Sequence, residues 1–407
     1  MQKLHLSMNI SFSGIGCQDR GFINSKVIIP EVLSVTEIDR HAILSYAAIH
    51  KGLTPELVAN YKDYPSEAEM VRELIDKNIG YNPKTGASFK WDRIKKNREY
   101  IIKSNWLASH LINNLGDIRR IESLPEADLW TVSFPCQDIS CAGEMKGFQK
   151  NSGTRSSLLW EQIRLLRKAI EDGTQPKFLL FENVKNIVGS KFKADFLDFL
   201  DVLDELGYNA QYRIMNAKDF GIPQSRERVF VVCCRKDIDF GGFAFPQPFK
   251  CDVKLEGILD PKMGKGISLN QDRLKEITAM LKAGNWHSEN DGKACKDKEE
   301  PAGTADKGTA SNKKKRYQAS GLTASMCFKL MGMTDEDVYR CRRMGISENQ
   351  LCKQAGNGIV TDCVQVIAEH LYKALIDPSF VCTDEKRNGA GWKVTPVFLL
   401  NLEKKPA

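Results

Sequence analysis

Residues 6–16 read LSMNISFSGIG, and this stretch decides the fold class. The first seven residues, Leu6–Phe12, predict a β-strand, and Ser13–Gly16 then predicts a tight turn leading into a helix. A second apolar run, Val32–Thr36, ends directly at the acidic residue Glu37. A strand, a glycine turn, a helix and a strand followed by an acid are typical of the start of a nucleotide-binding α/β sheet.

The alternation of strands and helices continues along the chain. Short apolar or alternating runs predict further strands at 129–133, 178–181, 209–215 and 228–234. Amphipathic segments predict helices at 40–50, 157–169, 192–206 and 360–375. Strands that alternate with helices indicate an α/β fold with a doubly wound, mostly parallel, Rossmann-like sheet.

The composition narrows the class of protein. The chain has 407 residues, of which 42% are hydrophobic and 27% charged, so most of it can bury a core. Its 12 cysteines show no regular spacing, which favours reduced thiols over a disulfide framework. The 6 histidines are scattered, so we expect no metal site. No apolar stretch is long enough to span a membrane, and we expect a soluble, cytoplasmic protein.

Two residues that follow predicted strands are candidates for chemistry. Cys136 comes directly after the strand at 129–133 and Pro135, and Glu182 comes directly after the strand at 178–181. Both therefore lie at carboxyl ends of strands, where open α/β sheets bind ligands. An accessible thiolate is a nucleophile, although a buried inert cysteine is the commoner case. Glu182 also has a non-catalytic alternative. The segment can be a helix N-cap made by Asn183, or Glu182 can be a solvated acid.

Two arginines precede the last predicted strand. Arg226 and Arg228 are two residues apart on an extended chain and therefore share one face. Together they can hold a phosphate or carboxylate through paired hydrogen bonds. The alternative is a surface salt-bridge pair.

Taken in chain order, these fragments resemble the motif series of the DNA cytosine-C5 methyltransferase family. The resemblance covers about 1–235 and 320–375. It rests on eight elements: Phe12–Gly16, Glu37, Gly116–Ile118, Ser133–Gln137 with Ser140, Ala142, Gly143 and Gly147, Ser157–Glu161, Glu182–Val184, Gln224 with Arg226 and Arg228, and Gln354–Gly358.

The resemblance implies S-adenosylmethionine as cofactor. The turn lacks the glycine spacing of a pyrophosphate site, which favours a cofactor without phosphates. The cofactor-binding positions that the resemblance implies are Phe12, Gly14, Gly16, Glu37, Asp117, Ile118, Pro135, Leu158, Asn357 and Gly358.

The resemblance also implies a mechanism on a cytosine flipped out of duplex DNA. Cys136 attacks C6, Glu182 holds N3 and the exocyclic amine, and Arg228, with Arg226, binds the flipped nucleotide. The remaining substrate-binding positions are Gln137, Asn183, Val184 and Gln224.

The resemblance divides the chain into three parts. Residues 1–235 form the catalytic and cofactor-binding domain, with a helical insertion at 51–110. Residues 236–319 form a small target-recognition region with a low-complexity loop at 289–316, and 320–407 return to the catalytic domain. The insertion carries a basic cluster, which is either a solvated helical surface or a contact to the DNA backbone: Lys90, Arg93, Lys95, Lys96, Arg98 and Lys103.

The sequence departs from the family in the ninth and last motifs. Leu322-Thr323 follows Ser320-Gly321 where the family has an arginine, and Met326 replaces a common acid. Gly358 stands where serine is common, which removes one cofactor hydrogen bond.

Several alternatives stay open. They are a tRNA cytosine-C5 methyltransferase of the same fold and a catalytically impaired DNA-binding relative. A nicotinamide dehydrogenase fits the sheet but leaves Cys136 and Glu182 unexplained. We expect a monomer acting on double-stranded DNA, in a restriction-modification, phage or orphan role within a bacterial cell or phage-infected host.

Overall fold

Six strands form one sheet in the computed structural model, which describes residues 3–83, 85–140, 145–150, 152–238, 243–249, 258 and 322–376. Their order across the sheet is β2-β1-β3-β4-β6-β5. Their bounds are β1 (Leu4–Ser11), β2 (Ile28–Thr36), β3 (Leu129–Val132), β4 (Phe178–Val184), β5 (Tyr208–Asn216) and β6 (Glu227–Arg235).

The strand directions place a ligand crevice at one edge of the sheet. The strands β2, β1, β3 and β4 are parallel to one another, whereas β6 is antiparallel to both β4 and β5. The chain runs from β1 outward to β2 and then returns to the other side of β1 as β3. The strand order therefore reverses between β1 and β3, and ligands of doubly wound sheets bind at the carboxyl ends beside such a reversal.

Helices cover both faces of the sheet. One face carries Leu6, Met8 and Ile10 of β1 in a core that includes the helices near both ends of the described chain. The opposite face carries Val132 and Phe181 against two helices from the middle of the chain. The α-helices of the described chain are α1 (Cys17–Ser25), α2 (Arg40–His50), α3 (Pro55–Asn60), α4 (Glu67–Asp76), α5 (Arg98–Leu111), α6 (Leu159–Glu171), α7 (Lys193–Glu205), α8 (Ala324–Lys329), α9 (Asp335–Arg343), α10 (Glu348–Asn357) and α11 (Thr361–Ile376).

These elements confirm the predicted doubly wound, mostly parallel α/β sheet. The helix predicted from residue 157 begins instead at Leu159, because Thr154 caps a 3-10 turn over Arg155–Leu158. The predicted helical insertion at 51–110 contains α3, α4 and most of α5, but the segment 77–97 between α4 and α5 is not α-helical. Glycines at 80 and 86 with positive φ and Pro83 are incompatible with a continuous helix there.

The segment 322–376 packs onto the first face of the sheet. Helix α11 approaches α1 so closely that a Cβ at Gly21 would lie 2.5 Å from Cβ of Val364. The predicted loop at 289–316 and most of the predicted recognition region lie outside the described residues, as do Ala142 and Gly143. No described helix has the length and apolar character needed to cross a membrane.

Candidate active site

Neighbouring strand ends bring Cys136 and Glu182 to the same edge of the sheet. Val132, the last residue of β3, pairs with Phe181 of β4, so the chain leaves β3 beside Glu182. The side chain of Asn183 donates a hydrogen bond to the carbonyl of Phe134 at 3.0 Å and ties the segment leading to Cys136 to β4. Cys136 is half-buried, and Glu182 is 9% exposed.

The antiparallel strand β6 supplies Arg228. In the register of β4 and β6, Glu182 pairs with Phe230 and Val184 with Arg228, so Arg228 is a diagonal neighbour of Glu182 on one face. Its Nε lies 3.2 Å from Oε1 of Glu182. An arginine and a carboxylate thus stand side by side near a half-buried thiol.

The charges of this cluster act on one another. Burial raises the pKa of Glu182, and the positive charges of Arg228 and Arg226 offset only part of that rise. Burial also raises the pKa of the Cys136 thiol, with Arg228 lowering it and Glu182 raising it. The site therefore favours a neutral carboxyl group, which can donate a proton, beside a thiol that needs positive charge to ionise.

Asp138 and Arg155 hold the turn that carries Cys136, and sequence reasoning missed both. The buried carboxylate of Asp138 accepts hydrogen bonds from the backbone N–H of Arg155 at 2.7 Å and from its Nη2 at 3.0 Å. Ser156 donates through Oγ to the carbonyl of Pro135 at 2.6 Å. The only sequence signal was the presence of an acid two residues after the cysteine and an arginine before the next helix.

Among the described residues, Arg226 and Arg228 have different protein partners. Nη2 of Arg226 donates to the carbonyls of Gly356 at 2.8 Å and Gly358 at 2.7 Å. Arg226 precedes β6, so its side chain does not have to point to the same face of the sheet as the side chain of Arg228. Burial and the neighbouring Arg228 lower the pKa of Arg226 to about 9. Arg226 thus joins the carboxyl end of α10 to the sheet, while its charge still reaches Glu182.

The turn after β1 is held in a strained conformation by Glu37 and Thr36. Phe12 has a φ of 58°, a left-handed value that is uncommon for a residue with a side chain. The backbone N–H of Gly14 donates to Glu37 at 2.9 Å, and that carboxylate also accepts from the N–H groups of Ile38 and Asp39, each at 2.8 Å. Burial raises the pKa of Glu37.

This turn has room and polar groups for a ligand. A Cβ at Gly14 would meet no atom within 4 Å, so the backbone there borders open space. The hydroxyls of Ser11 and Ser13 are buried and have no hydrogen-bond partner among the described residues. A polar molecule at the crevice between β1 and β3 would satisfy such groups, so these residues fit a cofactor of that kind.

Asp117 is already occupied by protein groups. Its carboxylate accepts hydrogen bonds from Asn78 at 2.7 Å and from Nε and Nη2 of Arg119 at 2.9 and 2.5 Å. These bonds hold the pKa of Asp117 below its usual value despite its burial. Ile118 is buried beside it. A ligand amine at Asp117 would therefore compete with Arg119.

Packing against Cys17 explains why position 358 is a glycine. A Cβ at position 358 would lie 2.9 Å from Sγ of the buried Cys17, so that sulfur fills the space a side chain at 358 needs. Asn357 beside it is exposed. The departure from serine thus follows from packing within this chain.

The remaining predicted positions differ in exposure. Gln224 is buried, and neither polar atom of its amide has a partner among the described residues. The other three are half-buried, namely Pro135, Gln137 and Leu158. Val184 completes β4 opposite Arg228.

Comparison with known proteins assigns the family. A family model described as C-5 cytosine-specific DNA methylase matches residues 84–373. Type II methyltransferase M2.ScrFI of Lactococcus lactis subsp. cremoris is 34% identical over 89% of this chain and 98% of its own length. Orphan methyltransferase M.SssI of Spiroplasma monobiae is 36% identical over 54% of this chain and 57% of its own length.

A solved structure shows the same fold. A DNMT2 variant from Spodoptera frugiperda superposes with a TM-score of 0.50 at 16% identity, covering 90% of this chain and 98% of that one. The sheet and the crevice define a methyltransferase of Rossmann-like fold. The chain belongs to the C-5 cytosine-specific DNA methylase family. It is a DNA (cytosine-5-)-methyltransferase, and its methyl donor is S-adenosylmethionine.

Proposed function

We propose that this enzyme methylates C5 of a cytosine flipped out of duplex DNA, with Cys136 as covalent nucleophile and Glu182 as acid. The observation that carries this proposal is the Glu182–Arg228 pair, 3.2 Å apart, beside the half-buried thiol at the strand ends. The proposed setting is the cytoplasm of a bacterial cell or phage-infected host. The proposed role is in restriction-modification, phage or orphan methylation.

The proposed chemistry balances at each step. The Cys136 thiolate forms a bond to C6, and the electron pair of the C5–C6 double bond moves through the ring to N3, which takes the proton of neutral Glu182. Arg228 holds Glu182 in place and favours the thiolate of Cys136 by its charge. Bound S-adenosylmethionine supplies the methyl group that C5 receives. A base then takes the C5 proton, the electron pair of that C–H bond forms the C5–C6 double bond as Cys136 leaves as a thiolate, and N3 returns its proton to Glu182.

The cofactor is assigned to the crevice between β1 and β3. We assign Phe12–Gly16 and Glu37 to the side of the cofactor at β1, and Pro135 and Leu158 to the side at β3. Arg226 contributes indirectly, because its bonds to Gly356 and Gly358 keep the last motif against the sheet.

Methyl transfer to duplex DNA tests the proposal directly. We expect DNA from a bacterial host that expresses the protein to contain 5-methylcytosine in one sequence context by bisulfite sequencing. The purified enzyme should methylate duplex DNA and leave tRNA unmodified in parallel assays with labelled S-adenosylmethionine. Preferential transfer to tRNA would replace the DNA substrate with the RNA alternative.

The segment 90–96, which we name the basic loop, is a proposed contact to the DNA backbone. It carries Lys90, Arg93, Lys95 and Lys96 against one acid, Asp92, a net charge of +4 − 1 = +3. All five side chains are exposed, and the three lysines form no ion pair with a described residue.

Buried contacts fix the basic loop near the catalytic edge of the sheet. Trp91 is buried and donates through Nε1 to the carbonyl of Ile79 at 3.1 Å. The next residue, Gly80, donates its N–H to the carbonyl of Ile38 at 2.7 Å, just beyond the carboxyl end of β2. The carboxyl ends of β3 and β4, where Cys136 and Glu182 lie, are on the same edge.

Replacing Lys95 and Lys96 together by alanine should weaken DNA binding without changing the chemistry. We expect the slope of log affinity against log salt to become shallower by about two, since each phosphate contact contributes about 0.9. The control is Lys3→Ala with Lys26→Ala, two exposed lysines before the amino ends of β1 and β2. Equal slopes for the two double variants would exclude the basic loop from the DNA interface.

A further inference from the structure

Three buried polar side chains stand behind the cofactor turn, and the proposed mechanism uses none of them. Tyr46 donates its hydroxyl to Oδ2 of Asp19 at 3.0 Å, and Nδ1 of His50 lies 3.4 Å from the same oxygen. All three side chains are buried, since Tyr46 is 0% exposed and the side chains of His50 and Asp19 are 3% and 7% exposed. Tyr46 and His50 come from α2, whereas Asp19 comes from the first turn of α1.

His50 contacts the backbone of the turn itself. Its Nε2 lies 3.1 Å from the carbonyl oxygen of Ile15. A Cβ at Gly16, where φ is +82°, would lie 2.4 Å from Nε2 of His50 and 2.8 Å from the ring of Tyr46. The two side chains from α2 therefore form the rear wall of the turn, and only glycine fits in front of them.

The partners of the two ring nitrogens of His50 define which nitrogen carries the proton. A carbonyl oxygen only accepts, so Nε2 of His50 carries the proton that it donates to Ile15. Burial lowers the pKa of His50 to about 3, which leaves Nδ1 as an unprotonated acceptor facing Asp19. Burial raises the pKa of Asp19. The raised pKa of Asp19 favours the neutral acid beside the neutral imidazole, which avoids a buried net charge.

We propose that His50 is a positioning residue for the cofactor, which fixes the Ile15–Gly16 peptide by its hydrogen bond to the Ile15 carbonyl while Asp19 and Tyr46 hold the imidazole ring. In the same turn, the N–H of Gly14 donates a hydrogen bond to Glu37. The turn is therefore held at Ile15 by His50 and at Gly14 by Glu37. This inference rests on the assignment of Phe12–Gly16 to the cofactor.

Three substitutions at His50 separate positioning from general packing. His50→Leu fills a similar volume without a donor, and His50→Asn keeps an amide that is too short to reach Ile15. His50→Gln places an amide nitrogen at a reach similar to that of Nε2. The readouts are the affinity for S-adenosylhomocysteine by calorimetry, amide hydrogen exchange of residues 13–17 in the cofactor-free protein, and kcat at saturating cofactor.

We expect His50→Leu and His50→Asn to weaken cofactor binding by about tenfold, the effect of one lost buried hydrogen bond, and to speed exchange in the turn. His50→Gln should recover most of both, and kcat and DNA affinity should stay near wild type. If His50→Leu does not fold, His50→Asn decides the result. Wild-type affinity in His50→Asn, or a loss that His50→Gln does not recover, would overturn the proposal. Failure of the wild-type protein to bind S-adenosylhomocysteine would instead remove the cofactor assignment.

Discussion

The Cys136→Ala protein should transfer no methyl group to duplex DNA above about one ten-thousandth of the wild-type rate, the scale on which loss of a covalent nucleophile acts. Cys363 also lies within electrostatic reach of Glu182 and Arg228, but it is buried at 3% exposure, whereas Cys136 is half-buried. Because Cys136 lies after β3 and not on the turn after β1, its replacement should leave affinity for S-adenosylhomocysteine unchanged.

A covalent trap makes this test specific. Duplex DNA with 5-fluorocytosine at the target has no C5 proton to lose, so the bond between Cys136 and C6 should persist once the methyl group has been transferred. We expect a protein–DNA adduct that survives denaturation with wild-type enzyme and none with Cys136→Ala. Cys352→Ala is the matched control, because Cys352 is the other half-buried thiol of the described chain. An adduct that forms without Cys136 would reject its role as nucleophile.

The sequence predicted the strand ends because the strands themselves are nearly pure apolar runs. Residues 229–232 of β6 and 178–181 of β4 have no competing helical pattern, so the polar residues that follow or precede them were placed correctly at strand ends. The helix Arg40–His50 was predicted with its observed bounds, and in the structure the side chain of Asp39 caps its first turn.

The position of β6 was beyond local reasoning. Nothing in residues 227–235 shows that this strand inserts between β4 and β5 in the opposite direction, because strand order depends on pairing between distant segments. That insertion sets Arg228 diagonally beside Glu182. The same limit explains Arg226, whose partners, the carbonyls of Gly356 and Gly358, lie 130 residues or more along the chain.

Buried support residues were also missed for a physical reason. In the sequence, Asp138 and His50 cannot be told from other polar residues in a loop or at a helix end. Their supporting roles depend on hydrogen-bond partners that are distant in the sequence and become neighbours only on folding. Asp138 meets Arg155, which lies 17 positions further along the chain, and His50 meets Ile15 from a different element. The sequence marks residues at strand ends, but it does not mark the polar groups that hold those ends in place.

Replacing Glu182 by glutamine should slow methyl transfer by about two to four orders of magnitude, the range of a lost general acid. Glutamine keeps the size and the hydrogen bonding of the neutral carboxyl group but has no proton to give to N3. Glutamine also removes the ionised form of Glu182 that pairs with Arg228 at 3.2 Å, so at every pH the charge of Arg228 acts on Cys136 without a competing carboxylate. Glu227→Gln is the matched control, because Glu227 precedes Arg228 and forms an exposed ion pair with Lys185.

The shape of the pH–rate profile identifies the acid independently of how much the substitution slows the reaction. The wild-type reaction needs a thiolate at Cys136, which forms as the pH rises, and a protonated Glu182, which is lost as the pH rises. Burial raises the pKa of both groups, so single-turnover rates should follow a bell whose limbs lie above the ordinary carboxyl range. In Glu182→Gln only the thiol titrates, so the rate should rise with pH and show no alkaline decline. A Glu182→Gln protein that retains the bell, or a wild-type profile that rises without a decline, would assign the proton on N3 to another group.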